Sequence, residues 1–261
     1  MIDVSHLNVG YSKKIIVKDF NMTVNKGEVT TLIGPNGSGK STVLKTVARF
    51  IKEQAGCILL DGTNISKMDR KQLARKMACL SQYNTSPEDT TIRELVSFGR
   101  NPHKKWYEKL SKEDDEVIDW AIQCANLSAM QHKRVINLSG GERQRSWIAM
   151  SLAQKPEVLL LDEPTTYLDI NNQIEILELV KELNRTMGLT VVMVLHNLNQ
   201  AAKYSDNIYV LKNGKLAAKG KPREVLTRSI IRDVYKVEMD IIKHEGGEEL
   251  IFVPIRALKQ A

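Results

Sequence analysis

Apolar and polar residues alternate along this chain in several distinct rhythms. Residues 29–33, 158–161 and 190–195 are short, largely apolar runs, which read as strands buried on both faces, as parallel sheets require. Residues 2–9 and 15–24 read as two more strands joined by a turn at 10–14. In the second, Val17, Phe20, Met22 and Val24 mark one buried face. Short strands are expected at 57–60, closed by Asp61-Gly62, and at 77–81, with a short helix over 69–76 between them. The middle changes rhythm: 91–99, 112–125 and 142–154 carry helical patterns with no strand between them. Ser111 ahead of Glu113 and Asp114 predicts an N-cap with acids in the first turn. A long amphipathic helix is expected over 170–186, with Ile174, Leu177, Val180 and Leu183 on one stripe. After a short helix over 199–204, Asn213-Gly214 between 208–211 and 215–218 predicts a hairpin. The tail alternates helices at 223–226 and 230–234 with strands at 239–243 and 250–255. With no repeat and no low-complexity linker, the pattern predicts one interleaved unit.

Between the strand at 29–33 and the helix from Val43 lies Gly34-Pro35-Asn36-Gly37-Ser38-Gly39-Lys40-Ser41-Thr42. It meets the phosphate-loop spacing G-x-x-x-x-G-K-[ST] in full, in the strand–loop–helix setting that gives the spacing its meaning. The glycines let the backbone curl so that several N–H groups point inward, and a helix N-terminus adds partial positive charge. Lys40 would reach the β- and γ-phosphates of a nucleotide, and the Ser41 hydroxyl would ligate Mg²⁺. The fold class is therefore α/β. A P-loop NTPase core of mainly parallel sheet with flanking helices carries an N-terminal antiparallel β subdomain and an inserted α-helical subdomain. The expected division is a core of 1–82 with 156–261 and a helical part of 83–155, within one domain of 1–261.

Other strand ends carry matching chemistry, since ligands of open α/β sheets sit at the carboxyl ends of the strands. The strand at 158–161 runs into Asp162-Glu163. Asp162 can hold Mg²⁺ directly or through water, and Glu163 can face the attacking water as general base or water-positioner. The strand at 190–195 ends in His196, which can hydrogen-bond a γ-phosphate; Gln82 follows the strand at 77–81 and can orient water or contact Mg²⁺. Ser139-Gly140-Gly141-Glu142 opens a helix and makes a second anion site. The helical insert separates these two phosphate-binding loops, so they need not meet within one molecule. That raises the idea of two protomers, each completing the other's site.

Ser139-Gly140-Gly141-Glu142-Arg143-Gln144-Arg145, set between the phosphate loop and Leu161-Asp162-Glu163-Pro164, resembles the signature of ATP-binding-cassette (ABC) ATPases. Gln82, Leu168-Asp169 and His196 complete the ordered set, and the resemblance runs from about residue 2 to residue 227. It implies that ATP sits between two subunits, with Ser139, Gly140 and Gly141 of one binding the γ-phosphate held by the other. It further implies that Asp169 communicates across the dimer and that Tyr11 stacks on adenine. A closer resemblance, carried by residues 82–103 and by Leu195-His196-Asn197-Leu198-Asn199-Gln200, is to subunits that energise import of iron–siderophore, haem or cobalamin. Many such relatives have Asp where Asn197 stands. Tyr167 stands where small residues or His are common, a familiar variant of the iron-uptake branch. The basic and aromatic stretch 100–109, including Arg100, His103, Lys104, Lys105, Trp106 and Tyr107, reads as a solvated surface loop, and by resemblance lies near a membrane partner. The partners implied are a second ATP-binding subunit, expected to form a homodimer in the assembled transporter, the integral-membrane permease and, indirectly, a substrate-binding protein.

Bulk properties narrow this little further. Lys plus Arg is 38 and Asp plus Glu is 31, so the formal charge is 38 − 31 = +7, compatible with nucleotide, anionic membrane or nucleic acid alike. No long like-charge block marks a nucleic-acid tail, and no nucleic-acid partner is expected. Cys57, Cys79 and Cys124 lack zinc spacing and read as small buried residues of a reducing compartment. The first residues lack a signal pattern and no apolar run is long enough to span a bilayer, so the chain is expected at the cytoplasmic face of a membrane, held there through the permease.

Overall fold

The computed structural model describes residues 2–12, 14–105, 107–243 and 250–258. Strands β1 (Ile2–Tyr11) and β2 (Lys14–Val24) form the expected hairpin; β3 (Val29–Ile33) enters the glycine loop and α1 (Lys40–Val47) leaves it. Then come β4 (Ala55–Leu60), β5 (Thr63–Asn64), α2 (Arg70–Lys76) and β6 (Met77–Leu80), followed by α3 (Ile92–Ser97), α4 (Lys112–Cys124) and α5 (Gly140–Ala153). β7 (Val158–Asp162), α6 (Ile170–Met187), β8 (Thr190–Val194) and α7 (Leu198–Tyr204) follow, then the hairpin β9 (Asn207–Lys212) and β10 (Lys215–Gly220). The chain closes with α8 (Pro222–Val225), α9 (Arg228–Tyr235), β11 (Val237–Lys243) and β12 (Leu250–Ala257).

Two compact units emerge, Met1–Lys67 with Thr190–Ala261, and Met68–Leu189. Both expected edges of the helical part, 82/83 and 155/156, fall within the second unit.

In the first unit an antiparallel sheet runs β2-β1-β4-β5, and a second set of strands runs β10-β9-β3-β8. Val17, Phe20, Met22 and Val24 are buried as their pattern predicts. β3 pairs in parallel with β8 on one side and β9 on the other, and all five of its residues are buried. A strand hemmed in on both edges and both faces has no room for a solvated charge, and the run at 29–33 carries none, its polar members being the buried Thr30 and Thr31. Asn213 and Gly214 take φ of 50° and 75°, the conformation a two-residue hairpin turn requires. Near the carboxyl end, the Asn199 side chain of α7 bonds both backbone groups of Phe252, accepting from its N at 2.7 Å and donating to its O at 3.2 Å.

In the second unit β6 and β7 pair in parallel, with Leu80 opposite Leu161. Helix α4 begins where Ser111 predicts: Ser111 Oγ accepts from Asp114 N, and Asp114 Oδ2 accepts from Ser111 N at 2.9 Å. Among the described residues no helix is long and apolar enough to cross a membrane.

Three expectations need correction. Ile174 is exposed, while Ile176, Leu177, Val180 and Leu183 are buried. At about 100° per residue, Ile174 lies on nearly the opposite side of α6 from Ile176. Arg100 does not belong to a solvated loop: it is buried, its Nε donating to Asp114 Oδ1 at 2.7 Å and its Nη1 to Ala153 O at 2.8 Å. A guanidinium can enter a core when its donors are met. Trp106 of that stretch lies outside the described residues. The three cysteines are only half-buried: Cys57 and Cys79 lie within β4 and β6, and Cys124 is the last residue of α4.

Candidate nucleotide site

The phosphate loop is shaped by the strands around it. Gly34 has φ 147°, and a side chain there would run into the Leu211 carbonyl of β9 and lie 2.9 Å from Ser38 Oγ. Gly39 has φ 103°, and its Cβ would fall 2.6 Å from Val17 Cγ2 of β2. Only glycine meets both the left-handed backbone and the close approach. The β9–β10 turn braces the loop, with Gly214 N donating to Ser38 O at 3.1 Å. Helix α1 starts immediately, Val43 N bonding Gly39 O at 2.9 Å. Lys40 is buried, and its Nζ donates to Gly34 O at 2.9 Å and Pro35 O at 3.1 Å. The ammonium thus lies folded inside its own loop. Asn36 and Gly37 are exposed at the tip, Ser41 and Pro35 are half-buried, and Thr42 is buried in the first turn of α1.

His196 lies beside this loop in register. Leu32 of β3 is opposite Val194 of β8, and Leu195 N donates to Leu32 O at 3.2 Å. Gly34 and His196 therefore leave adjacent parallel strands at the same level, and His196 is exposed. The next residue, Asn197, caps α7: its Oδ1 accepts from Asn199 N at 2.9 Å and Gln200 N at 3.3 Å. Tyr11 stands half-exposed at the end of β1, opposite Lys14.

In the second unit the ends of β6 and β7 bring together three of the expected residues. Asp162 is the last residue of β7 and is buried. Glu163 turns out of the strand with φ 54°, an unusual conformation for a residue with a side chain. Its Oε2 accepts from Gln82 Nε2 at 2.7 Å and from Thr166 Oγ1 at 3.1 Å. Thr166 carried no signal in the sequence beyond its place three residues after an acid. Tyr83 and Tyr167 flank the pair, their hydroxyls 2.9 Å apart. The Tyr167 hydroxyl, as hydrogen-bond partner, raises the Tyr83 phenol pKa first, with its Coulombic effect, burial and Glu163 adding to it.

The second anion loop opens α5. Ser139 Oγ accepts from Glu142 N at 3.3 Å, and Glu142 Oε2 accepts from Ser139 N at 2.8 Å. The Ser139 backbone N–H, and then its side chain, hold the Glu142 carboxyl below its usual range. The first-turn amides of Gly140 and Gly141 have no partner available within the helix. Gly141 packs on α6: a Cβ there would fall within 2.5 Å of Asn172 Cγ. Asn172 in turn donates from N and Nδ2 to the two carboxylate oxygens of Asp169, both at 2.8 Å. These bonds, the backbone one first, lower the Asp169 pKa. Sequence reasoning missed Asn172; its only sign was a polar residue three positions after an N-cap acid.

Comparison with known proteins fits this arrangement. The family model described as "ABC transporter" matches residues 17–166, more than half of the chain. The petrobactin import ATP-binding protein FpuC of Bacillus anthracis is 47% identical over 260 residues, covering 100% of this chain and 95% of that protein. The iron(3+)-hydroxamate import ATP-binding protein FhuC of Bacillus subtilis (strain 168) is 44% identical over 92% of this chain and 90% of its own. Among solved structures, the dimeric bacterial ABC transporter cassette MJ0796 is 30% identical, with a TM-score of 0.73 over 85% of this chain and 99% of that one. With the phosphate loop, the strand-end acids and the Ser139 helix start all in place, the chain belongs to the ABC transporter family, as an ATP-binding, ATP-hydrolysing subunit.

Proposed function

We propose that this chain couples MgATP binding and hydrolysis to uptake of an iron chelate, an iron–siderophore or a related haem or cobalamin, through a membrane permease. The observation that carries the reading is the 47% identity, end to end, with a petrobactin import ATP-binding protein. Two copies bind ATP and close face to face, at the cytoplasmic side of the membrane and against the permease, which a substrate-binding protein supplies. The whole chain acts as one ATPase domain, with 1–82 and 156–261 as nucleotide core and 83–155 as the helical part.

Each residue has a role that its position supports. The loop from Gly34 to Thr42 wraps the phosphates, and Lys40 leaves the Gly34 and Pro35 carbonyls to reach them. Tyr11 offers an exposed ring for adenine. Ser41, Asp162 and Gln82 supply hydroxyl, carboxylate and amide oxygens, the hard donors that Mg²⁺ takes. No three of His, Cys, Asp and Glu gather into a metal cage among the described residues, which suits an ion held mainly by phosphates, water and one or two protein oxygens. Bound there, Mg²⁺ would neutralise charge on the β- and γ-phosphates. Glu163, fixed by Gln82 and Thr166, orients the attacking water and accepts its proton as the bond to the β–γ bridging oxygen breaks. His196 stabilises the γ-phosphoryl oxygens. Ser139, Gly140 and Gly141 of the second copy complete the site, a contribution of about 10³-fold in rate by analogy with other transition-state donors supplied in trans. Asp169 links the two sites across the dimer.

The test is uptake. A host lacking this chain should lose import of one radiolabelled iron chelate, haem or cobalamin, and regain it with the wild-type chain but not with Glu163→Gln. Unchanged uptake of all of these would overturn the import reading. Hydrolysis stimulated by DNA rather than by a co-purifying permease would favour a nucleic-acid ATPase instead.

A further inference from the structure

The carboxyl-terminal helix α9 sits behind the phosphate loop, and none of the residues assigned to the nucleotide site lies in it. Its last residue, Tyr235, buries its hydroxyl beside the Gly34 backbone, yet the hydroxyl makes no hydrogen bond of good geometry there or elsewhere. Burial pushes the phenol well above its ordinary pKa and the nearby Gly34 backbone opposes this, so the group stays neutral. An unsatisfied buried hydroxyl is costly, and one aimed at a functional loop calls for a reason. In the same loop, Ser38 Oγ is also buried without a hydrogen-bond partner, 2.9 Å from where a Gly34 Cβ would stand.

The helix is well anchored. Ile231 and Val234 are buried. Asp233 Oδ1 takes Lys212 Nζ at 2.7 Å, tying α9 to the end of β9, one residue past the Leu211 carbonyl that packs on Gly34. Lys236, with φ 57°, ends the helix, and its carbonyl receives Leu258 N at 2.8 Å. Tyr235 ends this anchored helix with its hydroxyl beside the backbone of Gly34, the first residue of the loop.

On the other side, Lys40 Nζ holds the Gly34 and Pro35 carbonyls. Reaching a triphosphate would take Lys40 off those carbonyls and leave both without that donor. We propose that Tyr235 is a positioning residue for the phosphate loop, its oxygen accepting a hydrogen bond from the Gly34 N–H once Lys40 has turned to the phosphates. The hydroxyl that is unsatisfied with Lys40 folded in becomes satisfied with Lys40 extended. α9 thereby favours the nucleotide-holding form of the loop, because a group with a partner in only one of two states shifts the balance toward that state.

Tyr235→Phe keeps the ring and removes only the oxygen. The full-length chain, titrated with ATP and with a fluorescent ATP analogue, should bind both about two- to tenfold more weakly, the span of one net hydrogen bond. KM for ATP should rise in step while kcat stays within about twofold. Thermal stability without nucleotide should hold or rise, since an unsatisfied hydroxyl has gone. Unchanged ATP affinity in a folded Tyr235→Phe would overturn the proposal and leave the side chain as packing alone. Should that variant fail to fold, Asp233→Asn, which loosens α9 from Lys212, serves instead: the same rise in KM supports the proposal, and an unchanged KM overturns it.

Discussion

Gln82 Nε2 donates to Glu163 Oε2 at 2.7 Å, so the residues leaving two neighbouring parallel strands share one hydrogen bond. Thr166 Oγ1 bonds the same oxygen at 3.1 Å, so two side chains hold the Glu163 carboxylate in place. If that carboxylate is the base, Glu163→Gln should lower kcat by about 10²–10⁴-fold while ATP still binds. The variant should accumulate as a nucleotide-bound dimer on size-exclusion chromatography with ATP. Gln82→Ala keeps the carboxylate but lets it swing, so kcat should fall less, about tenfold, with KM for ATP within about twofold. Normal turnover in Glu163→Gln would remove the assignment, and normal turnover in Gln82→Ala would remove the positioning role.

Gly141 and Asp169 communicate through Asn172. A methyl at Gly141 would displace the Asn172 side chain, which then gives up its bond to Asp169 Oδ2. If the two amides of this helix start serve the γ-phosphate held by a second copy, Gly141→Ala should leave ATP binding by the phosphate loop intact and cut hydrolysis about tenfold or more. Shrinking the obstacle should help: Gly141→Ala with Asn172→Gly should recover part of the lost rate. No recovery in steady-state assays would mean that the glycine matters for its amide direction rather than for the space taken by Asn172.

Much of this was legible in the chain because parallel strands and glycine loops leave strong marks. The runs at 29–33, 158–161 and 190–195 lie buried and carry no charge, and Gly34 and Gly39 have to be glycine to clear Leu211 and Val17. What escaped was whatever depends on side chains far apart in sequence. Arg100 looks like a surface cation until Asp114 and the Ala153 carbonyl come into reach. Asn172 and Thr166 are ordinary polar residues until their partners are placed. Ile174 obeys the spacing to Leu177 and still faces out, since one interval cannot say where the buried arc of a helix is centred.

Asn197 replaces the acid that many relatives carry after the histidine, and the structure gives it a cap to make. Its Oδ1 accepts from two amides of α7, a task an aspartate performs equally well. Asn197→Asp should keep full ATPase activity and raise stability by a few tenths of a kcal/mol through the helix dipole. Asn197→Ala should cost about 1 kcal/mol in urea unfolding. A large loss of hydrolysis in Asn197→Asp would mean instead that a charge next to His196 is harmful here.

Asp114 and Arg100 make the helical part of the chain sensitive to acid. Burial pushes the Asp114 pKa up, but the Ser111 amide, the Arg100 guanidinium and the Ser111 hydroxyl together outweigh it and bring the carboxyl from 3.8 to about 2. A carboxyl depressed on folding adds stability above its unfolded pKa, and that stability drains away as pH falls from about 4 toward about 2. The shift corresponds to ~2 kcal/mol at neutral pH. Asp114→Asn keeps the shape and loses the charge, so it should be less stable than the wild type by about that amount at pH 7. The gap should hold to about pH 5 and close toward pH 2. Comparing the two chains by urea unfolding at each pH cancels the other depressed acids, Glu94, Glu142, Asp169 and Asp233, which both retain. A gap that stayed constant from pH 7 to pH 2 would mean that the substitution disturbs packing and that the Arg100–Asp114 charge pair adds nothing of its own.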